Sequence, residues 1–152
     1  MGRTFNNPIS GEQIEILSST PDLLVFQLTL PPGKSVPARH VHPHQQERFT
    51  VLDGELRFSI GRRTLSVHAG ETVVVEEGVA HWFGNRGPTP ATAHVEVQPA
   101  LRMEELLETT QALRTRSVTD LARLLLDFHQ ELAAPILPQR LVTTMLAPFR
   151  RR

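Results

Sequence analysis

The sequence predicts an all-β domain, a sandwich or barrel of short strands, followed by two or three α-helices. Short runs of alternating apolar and polar residues recur between turns at nearly regular spacing, which is typical of such folds. After Pro99 the apolar residues change to helical spacing. The 152 residues amount to about one domain. We therefore expect a β-barrel domain over residues 1–100 and a helical extension over residues 101–152, packed on the barrel or on a dimer partner.

The strand predictions rest on alternation with a period of two. Residues 9–20 place Ile and Leu among polar neighbours, consistent with one or two short strands. Residues 22–30 alternate clearly and end at a Pro-Pro-Gly sequence, where proline has no N–H to donate. Asp53-Gly54 is a typical hairpin turn between two further strands. The remaining strands are expected at residues 49–52, 55–60, 64–68, 72–75, 81–83 and 93–98.

The helix predictions rest on the spacing of apolar residues after the barrel. Residues 102–115 show helical spacing, and Ser117 is suited to cap a second helix because its hydroxyl accepts backbone N–H groups. Pro135 and Pro138 end that helix, and residues 139–147 form a shorter third one. The apolar face of the second helix is expected to comprise Val118, Leu121, Leu125, Phe128 and Leu132.

Composition excludes several classes of protein and site. The 16 basic residues balance 16 acidic ones, so the whole chain has no electrostatic footprint for nucleic acid. The absence of cysteine excludes disulfides, thiolate metal ligands and a cysteine nucleophile. No run approaches the roughly 18 apolar residues of a membrane span, and the N-terminus lacks the apolar core of a signal peptide. We expect a cytoplasmic protein without nucleic-acid or membrane partners.

A group of histidines is the candidate metal-binding feature of the sequence. His40 and His42 lie one residue apart, so on an extended segment their side chains project from the same face. Glu47 follows, and His81 lies further down the chain. Imidazole nitrogens and a carboxylate suit a divalent first-row transition metal better than Mg²⁺ or Ca²⁺. If the four residues converge on one point, they make a metal site.

These residues resemble the two motifs of the cupin superfamily. The first motif reads here as Gly33, six residues, His40-Val41-His42, four residues, Glu47, six residues and Gly54. The second reads as Gly70, five residues, Glu76-Glu77-Gly78, two residues, His81, three residues and Asn85. The chain departs from the family pattern in one extra residue before His40 and in Glu76, where the pattern has proline. Both departures lie in turns, so every ligand position is filled.

The resemblance implies a double-stranded β-helix, the jelly-roll barrel of cupins, with one metal inside. His40, His42, Glu47 and His81 are then the metal ligands, and the metal is Fe, Mn, Ni, Cu or Zn. Phe49, Val51 and Phe83 are expected to line an apolar pocket beside it, as small-ligand pockets tend to be lined. Four protein ligands on an octahedral ion leave about two positions open.

Three functions are compatible with such a site. The leading hypothesis is a metal-dependent enzyme similar to the single-domain cupin dioxygenases, acting on a small organic molecule, with Glu47 able to serve as a base. The second is a zinc-dependent isomerase, lyase or polyketide-cyclase type of cupin. The third is a non-enzymatic module that binds a small ligand.

Several side roles stay open in the sequence. His44 is expected in an exposed loop, and Gln45 and Gln46 either orient a ligand imidazole or lie on the surface. Trp82 and Phe83 are adjacent on a strand and should face opposite ways. The helical extension packs on a sheet, covers the barrel mouth, or forms the contact of a homodimer.

Overall fold

The computed structural model describes residues 2–36, 38–114 and 117–135, which form two antiparallel sheets and two helices. The predicted all-β fold followed by helices is confirmed for this part of the chain. The strands are β1 (Thr4–Asn6), β2 (Gln13–Ser19), β3 (Leu24–Leu30), β4 (Gln46–Asp53), β5 (Glu55–Ile60), β6 (Arg63–His68), β7 (Thr72–Val75), β8 (His81–Gly84) and β9 (Ala91–Gln98). The helices are α1 (Met103–Ala112) and α2 (Val118–Asp127).

The two sheets pack face to face. One has six strands in the order β1-β2-β3-β9-β4-β7, and the other has three in the order β6-β5-β8. Burial alternates along β3 and β9, so each strand turns every second side chain into the core. Phe49 of the larger sheet meets Phe58 of the smaller one with ring centroids 5.1 Å apart. The core therefore fills the space between the two inner faces.

The hairpin turn predicted at Asp53-Gly54 joins β4 to β5. Gly54 adopts a φ of +75°, a left-handed conformation that other residues rarely adopt. A Cβ at this position would also lie 2.7 Å from the carbonyl oxygen of Pro90. The turn therefore requires glycine both for its backbone conformation and for the close approach of the loop before β9.

The segment between β3 and β4 widens the smaller sheet. Ser35 pairs with Gly84 and His40 pairs with His81, so this stretch runs antiparallel to β8. Beyond it, Val41 pairs with Ala133, close to the end of the described residues. The chain after α2 thus returns to the barrel and adds its own backbone to the sheet edge. We call residues 131–134 the strap.

Both helices bury side chains in the core that the sheets form. Met103 and Leu106 of α1, Leu124 of α2 and the following Phe128 are each at most 4% exposed. The Oγ of Ser117 accepts the backbone N–H of Asp120 at 3.1 Å, as predicted for an N-cap.

The predicted face of the second helix was wrong in two respects. Val118, expected to be buried, is 84% exposed, whereas Leu124, which was not assigned to the face, is buried. The reason is that α2 ends at Asp127 and contacts the core only through its C-terminal half. The third helix, predicted at 139–147, lies outside the described residues.

Several strands also differ from expectation in their bounds, β1 and β4 most of all. No alternation of apolar and polar residues marks β1, which is three residues long and pairs with β2. The strand expected at 49–52 begins at Gln46, because β9 pairs with it from Gln46 and β7 from Glu47. Pairing partners therefore extend strands beyond the stretch in which the sequence alternates.

Candidate metal centre

Three histidines from two adjacent segments meet inside the barrel. His40 and His81 exchange backbone hydrogen bonds of 3.0 and 2.9 Å across the bridge between their segments. His42 lies two residues after His40 and presents its ring on the same side. The centroids of the three rings are 4.4–5.0 Å apart. One nitrogen of each imidazole lies within 4.8 Å of the corresponding nitrogens of the other two, a spacing at which the three can hold one metal ion.

The hydrogen bonds of the three rings define their tautomers. Nδ1 of His40, His42 and His81 each faces a backbone carbonyl oxygen, at 2.9, 2.5 and 2.9 Å. A carbonyl only accepts, so each Nδ1 must carry the proton and donate it. In the neutral ring this leaves the lone pair on Nε2, the nitrogen available to a metal. Such second partners fix the orientation of a ligand imidazole and raise its basicity.

Glu47, in β4, completes the cluster. Its Oε2 lies 3.0 Å from Nε2 of His81 and 3.2 Å from Nε2 of His42. If both imidazoles are neutral, these contacts place lone pairs against a carboxylate oxygen. The arrangement is favourable only with a proton between the carboxylate and an imidazole or with a metal ion among the three groups. The donor set of nitrogen and oxygen fits a divalent first-row transition metal.

The pKa values follow from burial and from these close contacts. Burial, together with His42 and His81, lowers the pKa of His40 to about 3. Burial also disfavours charge on His42, but the charge and hydrogen bond of Glu47 outweigh it and raise the pKa of His42. Burial opposes ionisation of Glu47 as well, yet His42 and His81 hold its pKa well below the usual range. Without a metal, the contact between the two groups therefore stabilises the charged forms of Glu47 and His42 relative to isolated side chains.

The cluster opens into a cavity of about 270 Å³. His40, His42 and Glu47 lie on its wall, and so do Phe49 and Phe83, two of the three residues that the sequence assigned to a pocket. The third, Val51, is fully buried in the core between the sheets and does not line this cavity. It lies two residues beyond Phe49 on the same face of β4.

The helical extension supplies much of the cavity wall. Sequence reasoning left open whether the extension covers the barrel mouth, packs on a sheet or forms a dimer contact. Apolar residues of α1, α2 and the strap line the cavity. An apolar stripe at helical spacing has the same pattern whether it faces a solid core or a cavity, so the sequence held no signal for this role. The lining residues from this part are Met103, Leu106, Leu107, Thr110, Gln111, Leu121, Leu124, Leu125, Leu132, Ala133 and Ala134.

The side residues of the histidine stretch have structural roles. His44 is exposed, as expected. Gln45 is 1% exposed, and its Nε2 donates to the carbonyls of Pro99 and Ala100, so it ties the stretch to the chain after β9. Its side chain makes no hydrogen bond to a candidate ligand imidazole. Gln46 bonds to Glu76 at the surface.

Trp82 and Phe83 differ in burial as the strand geometry predicts. Phe83 turns into the barrel and is 6% exposed. Trp82 is half-buried, and its Nε1 donates to the carbonyl of Val36 at 3.1 Å. Trp82 thus fastens the segment that carries the histidines to β8.

Glu131, in the strap, was missed by the sequence reasoning. Its backbone oxygen is the acceptor for Nδ1–H of His42, 89 residues earlier in the chain. Its side chain is 2% exposed, and Oε1 accepts the backbone N–H of Arg102 at 3.1 Å, just before α1. No sequence signal marks a carbonyl as an acceptor, since every residue has one. The motif identified His42 as a candidate ligand, and the strap orients its ring.

Comparison with known proteins agrees with this fold. The sequence model of the cupin domain matches residues 26–97, the part of the chain from β3 through most of β9. The chain belongs to the cupin superfamily. A crystal structure of a conserved protein with a double-stranded β-helix domain from Klebsiella pneumoniae is 31% identical, with a TM-score of 0.52 over 56% of this chain and 74% of that one. The double-stranded β-helix that the resemblance implied is confirmed.

More distant similarities show the fold alone. A predicted oxalate decarboxylase from Thermotoga maritima is 24% identical, with a TM-score of 0.54 over 64% of this cupin and 91% of that chain. Among curated proteins, mannose-1-phosphate guanylyltransferase RfbM of Salmonella typhimurium is 29% identical over 90 residues. Those residues are 59% of this chain, which spans only 18% of the length of the transferase. Within the described residues, neither helix has the length and apolar character to cross a membrane.

Proposed function

We propose that this cupin is a metal-dependent enzyme that acts on a small, largely apolar organic molecule, with dioxygenase-like chemistry as the leading reaction. The observation that carries the proposal is the orientation of His40, His42 and His81. Each Nδ1 donates to a carbonyl, so three Nε2 lone pairs remain for a cation beside the Glu47 carboxylate. The cluster lies at the wall of a cavity that is otherwise mostly apolar.

His40, His42, His81 and Glu47 would hold the metal, which we take to be Fe, Mn, Ni, Cu or Zn. A redox-active ion bound there supplies the capacity to activate dioxygen, whereas zinc supplies Lewis acidity without redox chemistry. A divalent ion bound to three neutral imidazoles and one carboxylate forms a centre with a net charge of about +1. That charge favours an anionic oxygen of a substrate on an open position.

The chain's own residues set the conditions around this centre. Phe49, Phe83 and the leucines of the helical extension form a wall that excludes water and strengthens electrostatic interactions inside. Glu47 is ionised and bonded to His42 and His81, which suits a ligand. It can also accept a substrate proton as a base when it turns away from the two imidazoles. A depressed pKa makes it a weak base in its present position.

The cavity favours an apolar substrate over a sugar phosphate. Phosphate oxygens are recognised by cationic groups and by several N–H donors. Among the lining residues that the structure describes, Arg39 is the one with a permanent positive charge. Its guanidinium donates to the Oγ of Ser59 and to the carbonyl of Gly61. The lining of this cavity therefore does not suit a sugar phosphate.

Elemental analysis of the protein purified without added metal tests the proposal. The wild type should contain about one transition metal per chain, and a variant with alanine at His40, His42, Glu47 and His81 should contain none. His44→Ala is the matched control, because it removes an exposed histidine of the same stretch and should leave the metal content unchanged. Equal metal in the wild type and the four-alanine variant would refute the site.

Oxygen uptake then separates the candidate reactions. Iron, manganese, nickel or copper with substrate-dependent uptake supports the dioxygenase. Turnover with zinc and without oxygen favours the isomerase, lyase or cyclase, and tight binding without turnover favours a binding module. The homodimer and the cytoplasmic location stay predictions; static light scattering measures the first.

A further inference from the structure

A second polar spot lies on the cavity wall, apart from the metal cluster. Gln111 of α1 and Glu12, just before β2, both line the cavity. The Nε2 of Gln111 donates to Oε2 of Glu12 at 3.0 Å, and Gln111 is only 5% exposed. Its Oε1 is buried and accepts no hydrogen bond from any residue in the described ranges. The side chain of Gln111 is not hydrogen-bonded to His40, His42, His81 or Glu47.

The unsatisfied atom must be an acceptor. An amide can be rotated by half a turn in many structures, which exchanges oxygen and nitrogen. Here the carboxylate of Glu12 can only accept, so the –NH₂ group of Gln111 has to face it. Oε1 is thereby fixed on the other side. A buried acceptor without a partner destabilises a folded protein, and such groups in native structures call for an explanation.

The surroundings offer little that can satisfy this acceptor. The neighbouring lining residues of α1 are Leu106, Leu107 and Thr110, and the hydroxyl of Thr110 donates to the carbonyl of Leu106 within the helix. The leucine side chains have no polar hydrogen. No residue in the described ranges donates to Oε1. Because Gln111 lines the cavity, a molecule bound there is the donor that we consider.

We infer that Gln111, held by Glu12, is a specificity-determining residue that binds a hydroxyl or amino group of the substrate. The substrate class is then an apolar or aromatic small molecule with a metal-binding oxygen at one end and a hydrogen-bond donor at the other. The metal-binding end rests on the proposed function, whereas the donor end rests on Gln111 and Glu12 alone. A site built to bond a substrate O–H or N–H discriminates strongly against analogues that lack it.

Matched ligand pairs test this inference. We would use phenylacetate with 4-hydroxyphenylacetate, and 3-phenylpropanoate with 3-(4-hydroxyphenyl)propanoate, and measure their affinities by calorimetry on the metal-loaded protein. In at least one pair the hydroxylated member should bind roughly 3- to 10-fold more tightly, the range of one neutral hydrogen bond. Gln111→Met, which has a similar volume, should reduce that ratio to about one with unchanged metal content. Thr110→Val is the matched control and should retain the ratio.

Equal binding of both members in each pair, or binding of neither, would overturn the inference, as would an unchanged ratio in Gln111→Met. The four-alanine variant distinguishes this failure from that of the proposed function. If the metal end alone is wrong, the hydroxyl preference persists in that variant. The melting temperature of Gln111→Met should stay close to that of the wild type, because the substitution removes an unsatisfied acceptor but also the hydrogen bond to Glu12. A lower melting temperature together with an unchanged ratio would assign Gln111 a structural role only.

Discussion

The barrel orients two of the three histidines, and the helical extension orients the third. His40 and His81 each donate Nδ1–H to the carbonyl two residues earlier, at 2.9 Å, so their orientation is built into their own segments. His42 donates instead to the carbonyl of Glu131 in the strap. Two rings are therefore held locally, and one depends on a contact between residues that are far apart in the chain.

The strap therefore couples the cavity wall to the metal cluster. Val41 and Ala133 exchange two backbone hydrogen bonds, of 3.0 and 2.9 Å, immediately beside His42 and Glu131. The same strap follows α2, whose residues line the cavity. A displacement of the extension would therefore change the orientation of His42 before it changed that of the other two histidines.

The first prediction compares how much a core substitution destabilises the barrel and the extension. Phe58 is fully buried, with its ring 5.1 and 5.5 Å from those of Phe49 and Phe83. Phe58→Ala should lower the free energy of unfolding by about 3–5 kcal/mol. Phe128→Ala should lower it less, because the extension can detach while the barrel remains folded. Urea unfolding measures both. Equal losses would mean that barrel and extension unfold as one unit.

The second prediction breaks the strap without touching a ligand. Ala133→Pro removes the N–H that donates to the carbonyl of Val41. The strap should shift, and the affinity for Zn²⁺ should fall about 10- to 100-fold, as it does when a partner of a ligand imidazole is lost. Competition with a chelating dye measures this affinity.

Ala134→Pro is the control for the strap experiment. The N–H of Ala134 makes no hydrogen bond within the part of the chain that the structure describes, so this proline should leave the metal affinity near that of the wild type. The same loss in both variants would mean that proline disturbs the strap generally. An unchanged affinity in Ala133→Pro would show that His42 needs no partner from the extension.

The parts predictable from sequence are those with a local physical signature. Strands such as β3 and β9 bury every second residue, so alternation reveals them. The candidate ligands could be named from the sequence because the motif specifies both the residue types and their spacing. The cap at Ser117 is equally local, since its hydroxyl bonds only three residues ahead.

The parts that escaped prediction depend on contacts between distant segments. The four apolar residues Leu121, Leu124, Leu125 and Leu126 allow more than one buried face for α2, and packing on the barrel selects Leu124. Val51 was expected to line the pocket, but it lies in the core. Residues on one face of a strand point the same way, yet they lie at different distances from the cavity. Glu131 acts through a backbone oxygen, which no side chain signals.

The third prediction concerns the metal-free protein and a histidine held by the barrel. The folded pKa of His40 is about 3, below its ordinary 6.5, so the unfolded chain binds the proton first as the pH falls. This histidine should therefore leave stability unchanged above pH 6.5 and lower it progressively between pH 6.5 and 3. The slope approaches about 1.4 kcal/mol per pH unit. Urea unfolding between pH 5 and 6.5 should show a smaller slope for His40→Asn. An equal slope would contradict the assignment.

The smallest effect separates the backbone of Glu131 from its side chain. Oε1 accepts the N–H of Arg102 at the start of α1, where no side-chain cap from Arg102 itself is present. Glu131→Gln keeps an oxygen of the same size but removes the negative charge, which a helix N-terminus favours by about 0.3–1 kcal/mol. The free energy of unfolding should fall by about that amount. Zn²⁺ affinity should stay within a few-fold of the wild type, because the carbonyl that accepts from His42 remains. A loss as large as that of Ala133→Pro would mean that the side chain, through α1, positions the strap.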